Sequence, residues 1–313
     1  MRTWLLWLVV GCTALLGVGA LLYGFIPQVN ERKQFSLHSE KPVLWDKTDE
    51  RLQILALSTS ASLPPHLHHP GITVATAEQV PFDGWIVGID PIEIEGGPPD
   101  VLHHMNLINM SRISPLCGTP EHFYAVGQEL TVALFPQGYA YPVFAGEELH
   151  ARTMFHNHGS EAVTATASIR FLYLPAEEAS ESITPIAPLF FDDSSSAVPC
   201  ELSDFWVPPG LFTYRSNMPY QVPVASRVIV AGGHMHAHAE KLVLERNGMD
   251  LIAFPLTLAR DRVLEAVGVV YPPQIVLDAG DQLSVRGVYD NQSDAAIDGM
   301  AMVFLYLELL DEL

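Results

Sequence analysis

The sequence predicts an all-β chain, two tandem jelly-roll β-sandwich domains behind an N-terminal transmembrane or signal helix. Three observations lead there. After about residue 30 no long run carries the helical period of apolar residues. Short β-rich runs recur instead, such as "GWIVGI", "ELTVALF", "ATASIRFLYL", "RVIVAGG", "KLVLERNG" and "MAMVFLYLEL", separated by Gly, Asn and Asp. The 24 prolines sit mostly between these runs, as expected where a residue that cannot donate to a sheet ladder marks strand ends. Even turn spacing of this kind is the mark of sandwiches and jelly rolls.

The first element is apolar. Residues 4–26, "WLLWLVVGCTALLGVGALLYGFI", carry no charge and are long enough to cross a bilayer. A signal anchor is therefore expected over residues 1–27. Cleavage after the small residues Val18 and Ala20 would leave "LLYGFI" on the mature end. "LVVGC", ending at Cys12, resembles a lipoprotein signal, but an apolar stretch follows the cysteine. With or without cleavage, the globular part is exported and extracytoplasmic, periplasmic or extracellular. Residues 28–50 follow as a polar tether.

A first sandwich is expected over 51–180 and a second over 205–313, joined by a linker at 181–204. That linker is rich in Ser, Pro and acids and poor in alternation, as a domain crossing should be. In "ERNGMD", Asn247-Gly248 favours a type I′ hairpin turn. Beyond the anchor only Cys117 and Cys200 remain. In an oxidising compartment they are candidates for one disulfide, with two buried free thiols as the alternative.

The charge balance limits the partners. Lys plus Arg number 16 against 36 Asp plus Glu, for a net charge of −20. Nucleic acid and anionic membrane surfaces both require a basic face, so neither is expected as a partner. Membrane contact is left to the N-terminal helix alone.

Histidine is the unusual component, with 13 residues. His103 and His104 are adjacent in "DVLHHMNLI". On a strand adjacent side chains face opposite sides, so two neighbouring ligands of one metal need a bulge or an edge position. "ELHARTMFHNHG" places His150, His156 and His158 at even spacing. "GGHMHAHAEKL" does the same for His234, His236 and His238, and "AIDGMAMVFLYLEL" opens a strand with Met300 and Met302. The Pro-rich turn "PPHLHHPG" carries three more histidines, with a solvated loop as the default and an accessory metal site as the alternative. Imidazoles with a thioether, and no carboxylate beside them in sequence, suit copper better than calcium, magnesium or manganese. Zinc would more usually recruit Cys or a carboxylate.

Taken in order, these clusters resemble the copper type II, ascorbate-dependent monooxygenases, the family of peptidylglycine α-hydroxylating monooxygenase and dopamine β-monooxygenase. The resemblance begins at "WIVGIDPIEIEGGPPDVLHHM" and runs to the end. It takes in "LFPQGYAYPVFAGEELHARTMFHNHG", "DFWVPPG", "HMHAHAEKLVLERNG" and "YPPQIVLDAGDQLSVRGVYDNQSDAAIDGM". It implies two copper ions. His103, His104 and His156 would hold an electron-transfer copper in the first domain, and His234, His236 and Met300 an oxygen-binding copper in the second. His234, His236 and Met300 would then be the catalytic set. An external reductant such as ascorbate would load both coppers, and oxygen would hydroxylate an activated C–H bond of a small molecule. His238 has no counterpart role. Peptide-amidating members carry a carboxylate-binding arginine where this chain has Gly232, and an asparagine and a tyrosine where it has Met302 and Phe304. The resemblance so amended implies a neutral, apolar substrate and at most one disulfide.

Two rival classes remain open at this point. One is a copper-binding or copper-delivery protein of the same fold that lacks turnover. The other is a single-metal cupin using His234, His236 and Glu240, although its second motif is not apparent and His103, His104 and Met300 would then have no role.

Overall fold

The computed structural model describes residues 42–127, 133–180, 182–191, 205–216, 218–258 and 264–310. The anchor expected over 1–27, the tether as far as 41, and residues 192–204 of the expected linker lie outside the described residues. No helix among the described residues is long and apolar enough to cross a membrane. The described chain is all-β, with two 3₁₀ turns at Pro99–Val101 and Ala176–Glu178.

Alternation builds the first sandwich. In "QILALSTSASL", strand Gln53–Leu63, the inward residues Leu57, Thr59, Ala61 and Leu63 are buried. The outward Ser58, Ser60 and Ser62 face Ser168, Thr166 and Thr164 of the neighbouring strand Val163–Pro175. They meet them through hydroxyl hydrogen bonds of 2.8, 2.7 and 3.3 Å. Such cross-strand polar pairs stabilise the solvated face while the other face fills the core. This sheet runs Gln53–Leu63, Val163–Pro175, Gly84–Ile89, Tyr139–Val143, Thr184–Pro185. The sheet of Leu67–Gln79, Glu148–Asn157, Leu102–Ile113 and Pro120–Val126 shares its core. The Thr59 hydroxyl donates to that of Thr153 between the two sheets, at 2.7 Å.

The second sandwich has Ala187–Phe191, Ala301–Leu309, Ser226–Met235 and Val276–Leu277 in one sheet. Gly210–Arg215, Gln282–Asn291, Ala239–Arg246 and Met249–Phe254 form the other. Asn247 and Gly248 close the Ala239–Arg246/Met249–Phe254 hairpin with φ of 52° and 77°. Positive φ at both central residues is what the type I′ turn requires.

The strand Ala301–Leu309 explains how the halves meet. It is apolar on both faces, and an unbroken apolar run of this kind is buried on both sides. Ala301, Val303, Leu305 and Leu307 fill the second core. Met302, Phe304 and Tyr306 face the other way and belong to the core of the first sandwich. The Tyr306 hydroxyl donates to the Phe123 carbonyl at 2.7 Å. From Ser39 onward the chain forms one compact unit.

The described part of the expected linker is ordered β structure. Thr184–Pro185 pairs with Tyr139–Val143 in the first sandwich, and Ala187–Phe191 pairs with Ala301–Leu309 in the second. Leu189 and Phe190 are buried there; prolines at 185 and 188 conceal the alternation in the sequence. From Pro42 on, the expected tether also lies against the body. Trp45 is buried, and its indole N–H donates to the Tyr139 carbonyl at 2.9 Å. Cys117 is disulfide-bonded, while Cys12 and Cys200 lie outside the described residues.

Candidate metal centre

His103 and His104 reach one site because the strand carrying them is bulged. Where Leu102–Ile113 pairs with Glu148–Asn157, Leu102 faces Phe155 but His104 faces Met154. His103 is the extra residue, and a bulge re-aims side chains in this way. Their ring centroids lie 3.9 Å apart. His156, buried near the end of Glu148–Asn157, stacks on His103 with centroids 4.2 Å apart and planes at 19°. His234 lies near the end of Ser226–Met235, opposite Met302. His236 follows directly after that strand.

The third histidine of this stretch is diverted. His238 adopts a positive φ of 66°, and its carbonyl accepts the Asp290 N–H at 2.9 Å. The strand has ended at Met235, so the even spacing of 234, 236 and 238 does not give three rings on one face. Glu240 lies beyond that turn, on the next strand. His150 is far along its own strand, paired with the Glu148 carboxylate.

The Nε2 atoms of His104 and His234 are 2.9 Å apart, and those of His104 and His236 are 3.1 Å apart. Two nitrogens on one metal at about 2.0–2.1 Å stand about 2.9–3.4 Å from each other at angles between square and tetrahedral. His104 Nε2 thus stands at the spacing of ligands that share an ion from each of the other two. An overlapping group, His103, His104 and His236, has ligand atoms within 4.8 Å of one another. The His103 Nε2 is buried and makes no hydrogen bond.

The resemblance divides these residues into two sets, one per domain. The structure groups them differently: five imidazoles form one continuous cluster where the sandwiches meet, and His104 faces His234 and His236. The doubly buried Ala301–Leu309 strand draws the halves together, a packing that sequence spacing does not reveal.

Burial, reinforced by the neighbouring rings, pushes His103 down to about 3 and holds His104 well below the usual histidine range. Both are therefore neutral near pH 7, the form that binds metal.

Two residues missed at the level of sequence support the ligands. Asp298 places Oδ2 3.0 Å from His236 Nδ1 and 3.7 Å from His103 Nε2. A carboxylate on the far nitrogen fixes the tautomer so that Nε2 offers its lone pair. Its position two residues before Met300, in "AIDGM", was the available signal. Buried Tyr289 is the second. Its hydroxyl donates to the Met300 carbonyl and accepts the N–H of Met300 at 3.2 Å and that of His236 at 3.4 Å. One hydroxyl thus ties a thioether residue to an imidazole residue.

A cavity of about 150 Å³ opens beside the cluster. His104, His234 and Met300 line it, with Val126, Met154 and Met302 as further apolar or thioether walls. Thr73, Asn106 and Arg152 also line it, so this cavity has a cation at its wall. The charge comes from the first sandwich rather than from position 232. Gly232 has its own explanation, since a Cβ there would lie 2.1 Å from Phe304 Cζ. Phe304 fills that space, fully buried and stacked on Phe190. Of the two positions where the amidating members carry an asparagine and a tyrosine, Met302 reaches the cavity and Phe304 packs in the core.

No protein-family model and no curated relative match the chain. Among solved structures it is similar to the major capsid protein P2 of bacteriophage PM2. The identity is 9% and the TM-score 0.35, over 82% of this chain and 99% of that one. Likeness at that level bears on neither fold nor function.

Proposed function

We propose that the protein is a copper-dependent monooxygenase. It would hydroxylate an activated C–H bond of a small molecule with O2 and electrons from an external reductant such as ascorbate. The observation that carries this is the approach of His104 Nε2 to within 2.9 Å of His234 Nε2 and 3.1 Å of His236 Nε2, beside Met300 and at a cavity. The donor set fits copper: imidazoles serve Cu(I) and Cu(II), and a thioether favours Cu(I). Asp298 faces His236 from its outer nitrogen and leaves the inner one as the donor. His103 and His156 adjoin the first set and are the residues for a second copper.

Bound copper supplies the redox chemistry, coupling oxygen reduction to C–H hydroxylation. The chain's own residues position and exclude. Tyr289 fixes the backbones of His236 and Met300 relative to each other, and Met302, Val126 and Met154 keep one side of the cavity apolar. Because Arg152 and Asn106 share that cavity, the substrate is amended from wholly apolar to an apolar body with a hydrogen-bond acceptor. The surrounding architecture is read as two tandem jelly rolls, held outside the cytoplasm by the N-terminal helix.

A second reading, a copper-binding or delivery protein without turnover, is favoured by the packing of all five imidazoles in one cluster. Copper content together with ascorbate-dependent oxygen uptake on the full chain separates the two. The enzyme takes up oxygen in proportion to bound copper, and the Met300→Ala variant loses uptake while retaining copper at His103 and His156. Full copper loading with no uptake under any substrate class leaves only the second reading.

A further inference from the structure

The histidines outside the cluster form a second feature. His68 and His158 are both exposed, yet their Nδ1 atoms lie 3.1 Å apart, with ring centroids at 5.1 Å. The backbone brings them together. Leu67–Gln79 shifts register between Leu67, which faces Asn157, and Ile72, which faces Phe155. The extra residues between them rise over His156. Gly71, at φ 68°, sits so close to His156 that a Cβ would lie 2.6 Å from its ring. The His66 N–H donates to the Gly159 carbonyl at 3.0 Å, and the Asn157 amide donates to the Pro64 carbonyl at 2.9 Å. The two loops are thereby pinned at the place where the imidazoles face each other.

From this pair the rings continue inward. His158 to His156 is 5.8 Å between centroids, His156 to His103 is 4.2 Å, and His103 to His104 is 3.9 Å. The track joins solvent to the buried set with no gap longer than the width of a ring pair.

We propose that His68 and His158 form a solvent-open metal site and pass a divalent first-row ion, Cu(II), inward by way of His156 and His103. The destination, but not the outer site, rests on the function proposed above. Nitrogens 3.1 Å apart suit two adjacent positions on one ion at about 2.0–2.1 Å. This is the arrangement of tetragonal Cu(II) rather than of linear Cu(I). Water fills the other positions, so the ion exchanges readily. Transfer is ligand exchange: one imidazole–metal bond forms as another breaks, and the oxidation state of the metal does not change.

The test uses the full chain, Cu(II) alone and no reductant, with ion count by equilibrium dialysis, loading rate by stopped-flow absorbance and ligation by electron paramagnetic resonance. The H68A/H158A protein should bind one ion fewer than wild type. It should fill the inner site to the same final extent but about tenfold more slowly, within the range that supporting residues impose on metal sites. The H104A/H234A protein should retain the outer ion. An H68A/H158A protein that binds as many ions as wild type, or fills the inner site as fast, overturns the proposal. If instead H104A/H234A and wild type bind the same number of ions, the function proposed for the buried set fails. The outer pair is still judged by its own variant.

Discussion

Asp298 shows how one side chain carries information that a ligand motif omits. His236 offers two nitrogens, and the one that binds metal is set by what holds the other. With Asp298 Oδ2 3.0 Å from Nδ1, the proton stays on Nδ1 and Nε2 turns to His104. The Asp298→Asn variant keeps the shape but removes the charge and leaves the tautomer open. Metal affinity at this centre should fall about 10- to 100-fold with the thermal midpoint of the metal-free protein nearly unchanged, read by competition with a chelator. The five clustered histidines were all legible in the sequence as candidates. Tyr289 was not, because a lone tyrosine has no spacing that marks it, and Asp298 was marked only by its place two residues before Met300. The bulge at His103 was legible as a need, since adjacent strand residues can share a site in few other ways.

At the level of elements, paired strands fix which residues confront each other. In the pairing of Ser226–Met235 with Ala301–Leu309, Gly232 lies opposite Phe304 and His234 opposite Met302. The ring of Phe304 lies where a side chain at 232 would be, so the glycine and the aromatic depend on each other. Gly232→Ala forces the ring from its place, and overpacking of this kind costs about 1–3 kcal/mol. Denaturant unfolding should show that loss, and combining the change with Phe304→Leu should restore part of it. A failure of the second substitution to compensate would remove the explanation for the glycine. The alternation of this strand was plain in the sequence, but not what covers its second face. An apolar residue states that it is buried, and not against which partner.

For the molecule as a whole, the shared strand makes the two sandwiches interdependent. Met302, Phe304 and Tyr306 complete the core of the first sandwich although they belong to a strand of the second. Removing either half would strip apolar surface from the other. Thermal unfolding of the metal-free protein, followed by calorimetry, should therefore give one cooperative transition whose van't Hoff and calorimetric enthalpies agree. Two separable transitions would mean that the interface contributes little. All-β character and the hairpin at Asn247-Gly248 could be read from pattern. The closeness of the halves could not, and it turns two separate sets of ligands into one cluster and brings Arg152 to the cavity.

The central claim is that His104 of the first half and His234 and His236 of the second hold the same ion. The most direct measurement is the Cu(II) electron paramagnetic resonance spectrum, with copper affinity, of the His104→Ala protein beside that of His234→Ala. The shared centre predicts that both substitutions change the same signal and weaken the same ion. A His104→Ala protein that disturbs only a different copper, and leaves the His234/His236 signal as in wild type, would contradict it.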